Sequence, residues 1–157
     1  MTTESVGVRH GIAGVGSAYG VVTRQFERIP ESLVLFAARI FPAAVFWQSG
    51  RSKMQGWSIR EAAFFLFENE YNLPVIPPEL AAYLATTAEH VFPVLLVLGL
   101  ATRLSALALL GMTLVIQVFV YPSAWVTHGL WATCLLLLVS KGGGAVSVDR
   151  LLARFCK

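Results

Sequence analysis

An all-α transmembrane four-helix bundle is the fold this sequence predicts, with one long extracytoplasmic loop bearing a short interfacial or re-entrant helix. Three observations lead there. Of 157 residues, 56% are hydrophobic and 13% charged, roughly half the charged share of an ordinary soluble domain. Three long apolar stretches and one shorter one are crossed by almost no charge except Arg39 and Glu89. The later stretches are separated by Ala101-Thr102-Arg103 and Pro122-Ser123-Ala124, connections short enough to force antiparallel neighbours.

Residues 1–31 form a polar, glycine-containing N-terminal segment without the apolar core of a cleavable signal, so the first span is expected to act as the insertion signal. Within it, Tyr19, Val21, Val22, Phe26 and Ile29 alternate with Arg24, Gln25, Glu27 and Arg28. Either a short amphipathic helix on the leaflet or a partly ordered tail accounts for that pattern.

The transmembrane domain covers residues 32–141. A span needs about 20 mostly apolar residues. The first runs from about Ser32 to Gly50, interrupted by Arg39 and Pro42, and the second from about Leu80 to Leu100, with Glu89, His90 and Pro93 inside. The third, Leu104 to Tyr121, contains Gln117 as its strongly polar side chain; the fourth, Trp125 to Ser140, is short and carries His128 near its start. Between the first two spans, residues 51–79 are the long loop. Its apolar run from Ile59 to Phe67, at about 12 residues with flanks, is too short to span and reads as the interfacial or re-entrant helix. Pro74, Pro77 and Pro78 end that helix and open the second span.

Residues 142–157 form the C-terminal tail. Gly142-Gly143-Gly144 stops the fourth helix, and Ser147 or Asp149 caps a short amphipathic end. Eight Lys and Arg residues fall on the side of the termini and three on the side of the long loop. The positive-inside rule therefore places both termini in the cytoplasm, in a bacterial inner membrane. The net charge of +3 and pI near 9.1 come from residues at the ends of apolar segments. That is a pattern of topology signals and headgroup contacts, and it excludes a nucleic-acid face.

The charges inside the spans are where chemistry is to be sought, because an ion in hydrocarbon costs about 2.5–3.5 kcal/mol on insertion scales. Arg39 lies roughly 10 Å into the first span and Glu89 roughly 15 Å from either end of the second. If the spans are neighbours the two can meet, either as an ion pair setting helix register or as the lining of a polar pocket. Arg39, Phe46, Gly50 and Lys53 share one stripe of the first span while Gln48 points away. Lys53 thus extends the Arg39 face outward, where snorkelling to headgroups is the simpler reading. Glu89 and His90 are adjacent and cannot share a face, so one of them is expected to meet a third helix. Glu89, His90, Gln117 and His128 all fall in the outer half of the bilayer.

Such a cluster suits a quinone ring, whose carbonyls need hydrogen-bond donors and whose reduction needs a proton carrier; helix-to-helix hydrogen bonds are the plainer alternative for both histidines. The candidate ligand-binding residues are Arg39, Lys53, Glu89, His90, Gln117 and His128. A metal site from His90, His128 and Cys134 has no compact ligand spacing, and none is expected. There is no Cys-x-x-Cys or haem-attachment motif, so the chain is not expected to be a catalyst on its own. Trp47, Trp57, Trp125, Trp131, Tyr71, Tyr83 and Tyr121 gather near the outer boundary and read as an aromatic belt.

Arg39, the Gly50-x-x-Lys53 element, Glu89 followed by Leu98-Gly99-Leu100-Ala101-Thr102-Arg103, and the closing stretch from Gly142 to Leu151 resemble the DoxX family of small bacterial membrane proteins, over about residues 32–153. The segment from Phe65 to Tyr71 and Val120-Tyr121-Pro122 with His128 resemble a subgroup that accompanies metal-stress or secreted-peptide gene clusters. The resemblance implies a four-helix inner-membrane protein. The family takes its name from similarity to a subunit of a thiosulfate:quinone oxidoreductase. The expected function is a membrane subunit that binds quinone or a lipid-like molecule in a redox or stress-response complex, with lipids, other membrane subunits or further copies of the chain as partners. A non-enzymatic oligomeric scaffold or assembly factor, and a small transporter or metal-handling protein, are the alternatives.

Overall fold

The computed structural model describes residues 19–20, 23–71 and 73–155. In chain order these form helix α1 (Glu31–Ser52), strands β1 (Met54–Gln55) and β2 (Ser58–Ile59), helix α2 (Glu61–Leu66) running into a π-helical turn at Phe67–Tyr71, helix α3 (Pro78–Leu98), helix α4 (Thr102–Val115) continued by a second π-helical turn at Ile116–Val120, a 3-10 turn at Pro122–Ala124, helix α5 (Trp125–Lys141) and helix α6 (Val148–Phe155). Four helical stretches, Glu31–Ser52, Pro78–Leu98, Thr102–Val120 and Pro122–Lys141, are long and apolar enough to cross a membrane. The predicted four-helix membrane bundle is the observed one.

Helices α1 and α4 each pack on both α3 and α5, so the four close into a ring. α1 buries Leu35, Ala38, Arg39, Pro42, Phe46 and Gly50 on one stripe, the three-to-four spacing that a single helix face requires. Phe46 meets Leu96 of α3, Leu109 of α4 and Leu135 and Leu138 of α5 in a common core. Leu104, Leu107, Leu114, Leu130 and Leu136 face outward and are more than half exposed. A soluble bundle would not present such a belt to water; lipid covers it.

The loop after α1 holds more structure than its sequence pattern predicts. β1 and β2 pair antiparallel, Met54 with Ile59 and Gln55 with Ser58, around Gly56 at φ +63°, where a tight hairpin favours glycine. Two residues per strand is too short for a detectable alternation. α2 lies at the loop end of the bundle, burying Ala63 and, through the following turn, Phe67 against Ala81 and Ala82 in the first turns of α3.

At the other end, α3 stops on Gly99 at φ +69°. The Gly99 amide donates to the Leu96 carbonyl and the Leu100 amide to that of Leu95, at 3.0 and 2.9 Å, the paired bonds of a Schellman ending. α5 stops at Gly142, also at positive φ. Of the two predicted caps in the tail, Ser147 serves its own helix, its hydroxyl accepting from the Arg150 amide at 3.3 Å. Asp149 caps a different one: its carboxylate accepts from the amides of Ala101 and Thr102 at 2.7 and 2.9 Å, closing the start of α4. Tyr19, Gly20 and residues 23–26 are helical and Glu27, Arg28 and Ile29 form a turn; Val21, Val22 and residues 1–18 lie outside the described residues, as does Cys156.

Candidate functional site

The expected Arg39–Glu89 contact is not formed, and helix register is the reason. α1 and α3 run antiparallel with Ser49 level with Glu89, so Arg39, ten residues back, stands level with Gly99. That separates the two charges by about 15 Å along the bundle axis. Lys53 takes the place expected of Arg39. Instead of reaching outward to headgroups it turns inward and is 8% exposed. Its ammonium meets both Glu89 oxygens, at 2.9 Å (Oε1) and 2.8 Å (Oε2), and the Ser49 hydroxyl at 2.9 Å. The Ser49 hydroxyl donates to Glu89 Oε1 at 2.9 Å. Glu89 is 3% exposed; each charge is neutralised by the other, as an ion pair at membrane depth requires.

This pair forms one wall of a cavity of about 430 Å³ between α1, α3, α4, α5 and the turn after α2. Its polar lining is Ser49, Lys53, Glu89, Tyr71, Tyr121 and His128, and apolar side chains make up the rest. Ile76, Leu84 and Val115 belong to that lining and are also more than a third exposed. With Tyr121, also part exposed, they mark where the cavity lining reaches the outer surface, at Leu84 of α3, Val115 of α4 and the loop end of the bundle.

His128 is 5% exposed, and its Nδ1 lies 2.7 Å from Gln117 Oε1. The Gln117 amide nitrogen donates to the Pro122 carbonyl at 2.7 Å. A carbonyl only accepts, so the Gln117 oxygen must face the histidine, which donates from Nδ1 and keeps Nε2 as an acceptor when neutral. Gln117 thus stands behind His128 rather than in the cavity. It sits in the π-helical turn at Ile116–Val120, a local distortion that re-aims side chains. The Trp131 ring lies 5.0 Å from that of His128.

His90 does not line the cavity. Its Nδ1 lies 2.7 Å from the Thr86 carbonyl and its ring 5.0 Å from that of Trp47 on α1. Room for it comes from Gly50, where a Cβ would sit 2.7 Å from the imidazole Cε1. Glu89 and His90 flank α1 on two sides, and neither is handed over to a third helix alone. Arg39 is 1% exposed in the half of the bundle where α1 begins and α3 ends. Its guanidinium donates to the Val146 carbonyl, lies 5.4 Å from the Phe36 ring centroid and has Asp149 as a nearby opposite charge. Among the described residues no three His, Cys, Asp or Glu side chains are grouped to hold a metal.

Ser49, Tyr71, Tyr121 and Trp131 are the cavity residues that sequence reasoning misses as site residues. Three of them belong to the expected aromatic belt, of which Trp57 (101% exposed) and Trp125 (68%) do stay outside. Tyr71 is drawn inward by the turn that follows α2, its ring edge-on to Phe67 at 4.9 Å and to Tyr121 at 6.0 Å. Ser49 precedes Lys53 by one helical turn, a spacing that marks it as a partner of any inward-facing lysine.

Burial, then the neighbouring Tyr121 hydroxyl, then the charges of Glu89 and Glu70 push the Tyr71 phenol above its ordinary value of 10.0. The folded chain holds that proton more tightly than the unfolded chain. Its contribution to stability is complete below about pH 10 and declines as pH rises further, because the unfolded chain ionises first. Tyr71→Phe is expected to flatten the alkaline fall in melting temperature, read by thermal unfolding in detergent between pH 8 and 11.

A family model described as DoxX matches residues 34–122. The match spans α1 through the turn before α5 and thus contains Lys53, Glu89 and Gln117; His128 and the tail lie beyond it. An uncharacterized protein of Haemophilus influenzae is 28% identical over 141 residues, covering 83% of this chain and 90% of the relative. No solved structure matches the chain.

Proposed function

The chain belongs to the DoxX family, and from that premise we propose that it is an inner-membrane subunit holding a quinone-like, lipid-soluble ligand in the cavity beside Lys53, Glu89 and His128. The observation that carries this reading is a largely apolar cavity, part of whose lining reaches the outer surface at Leu84 and Val115, with a neutralised ion pair on one wall and hydroxyl and imidazole groups on the others. Apolar walls suit a ring and the start of an isoprenoid tail, and a few fixed polar groups suit its oxygens. Tyr71 and Tyr121 offer phenolic donors to a carbonyl. His128 Nε2 accepts from a hydroxyl when neutral and donates when protonated, the behaviour needed beside a ring that gains and loses protons. All of the Lys53 donors are taken by Glu89 and Ser49, so the pair shapes the polarity of the wall rather than gripping the ligand directly.

In this reading both termini face the cytoplasm, in keeping with the excess of Lys and Arg on their side, and electron transfer runs through a partner in a redox or stress-response complex. Solvent extraction of protein purified in mild detergent, with chromatography of the extract, tests it. Wild type is expected to retain quinone, and His128→Ala and Tyr71→Phe to retain about tenfold less, equivalent to about 1.4 kcal/mol of binding. Equal trace amounts in all three proteins would remove the ligand and leave the scaffold alternative standing.

A further inference from the structure

A second cavity, of about 380 Å³, lies at the opposite end of the bundle, between the start of α4, the end of α5 and the tail. Arg103, Lys141 and Arg150 line it together with the glycine turn after α5. Arg39 stands beneath it. A Cβ on Gly99 would meet both the Arg39 guanidinium and Ser147, and one on Gly143 would meet both Ser147 and the Thr102 hydroxyl, so these groups are contiguous. Against four cations stand Asp149, which also lines the cavity but whose carboxylate is engaged by the amides of Ala101 and Thr102, and Glu31, 3.0 Å from Lys141 in an exposed pair. The excess is positive.

Thr102 gives the independent sign of a ligand. It is fully buried, it lines this cavity, and its hydroxyl oxygen has no hydrogen-bond partner; nor do the Nε and Nη1 atoms of Arg39 nearby. Buried donors are seldom left unpaired. From this set we infer that the cavity binds a phosphate group, cradled by Arg103, Arg150 and the Thr102 hydroxyl, and that the phosphate is that of an anionic phospholipid. The cavity sits where three spans end, at headgroup depth, and basic pockets between helices at that depth take anionic headgroups. Leu104 also lines it and is 70% exposed on the outer face of α4, which gives an acyl chain a path from the cavity into the bilayer. A soluble phosphate would have no use for that path.

Native mass spectrometry of the full chain, with phosphatidylglycerol or phosphatidylcholine of the same acyl chains added, tests the assignment. Wild type is expected to retain phosphatidylglycerol about tenfold over phosphatidylcholine. The double variant Arg103→Gln/Arg150→Gln changes two exposed positions, of which Arg103 also donates to the Ser140 carbonyl at 3.1 Å; with an unchanged melting temperature as the control for folding, it is expected to lose that preference. Arg51→Gln/Arg60→Gln, which removes the same charge at the other end, is expected to keep it. Thr102→Val should lower retention several-fold and Thr102→Ser should restore it. Equal retention of the two lipids, an unchanged Arg103/Arg150 double variant, or displacement of phosphatidylglycerol by millimolar inorganic phosphate would each overturn the proposal, the last by showing that a soluble anion is the occupant.

Discussion

Glu89→Leu is expected to destabilise the bundle by about 3–5 kcal/mol, because it strips the countercharge from an ammonium that stays buried. The remaining partner of Lys53 would be Ser49, whose carbonyl and hydroxyl lie at 3.3 and 2.9 Å and carry no charge. Lys53→Met should cost a similar amount by leaving the carboxylate alone. The double variant Lys53→Met/Glu89→Leu is the informative one. It replaces an ion pair by two apolar side chains in a bundle already surrounded by lipid, and such replacements in protein interiors are often neutral or stabilising. Its stability should therefore return to within about 1 kcal/mol of wild type, giving a coupling energy of several kcal/mol in the double-mutant cycle. Unfolding by denaturing detergent measures all four proteins. Additive losses would show that the two side chains do not act as a pair. If wild type retains quinone and the stable double variant does not, the pair is kept for the site and not for the fold.

How much of this is legible in the sequence follows from the length scale of each signal. The spans are readable because twenty apolar residues average out every local ambiguity. The stripe Arg39, Phe46, Gly50 and Lys53 is readable because 100° per residue holds along an unbroken helix, and its members are buried while Gln48 is exposed. Which charge meets Glu89 is not readable. That depends on how α3 slides along α1, and a shift of ten residues exchanges Lys53 for Arg39 while hydropathy stays the same. The connection from Arg51 to Glu79 hides Tyr71 for a related reason. A two-residue hairpin, a six-residue helix and a π-helical turn leave no periodicity, yet together they carry that phenol into the cavity. Gln117 stands out as the polar residue of its span, but its role behind His128 depends on the second π-helical turn.

The tail illustrates the same limit from the other side. Its glycines and caps are visible in the sequence and its work is not, because Asp149 caps a helix that begins 47 residues earlier. Gly99→Ala should expose that work. The residue sits at φ +69°, where an alanine costs about 1–2 kcal/mol. Its Cβ would also press on the Arg39 guanidinium and come within 2.6 Å of Ser147 Cβ and 2.9 Å of its Cα, overpacking of a kind worth about 1–3 kcal/mol. The backbone of Ser147 cannot yield without drawing Asp149 off the start of α4, since the Asp149 amide is also bound to the Gly99 carbonyl at 2.9 Å. A loss of about 2–5 kcal/mol is expected, with the chain between Gly142 and Asp149 becoming open to proteolysis. Gly111→Ala supplies the comparison: a methyl group there would meet nothing within 4 Å, and the backbone is not in the left-handed region. It should change stability by no more than about 1 kcal/mol, in the favourable direction. If the two substitutions behave alike, the close approach of Arg39, Gly99 and Ser147 is not what ties the tail to the bundle.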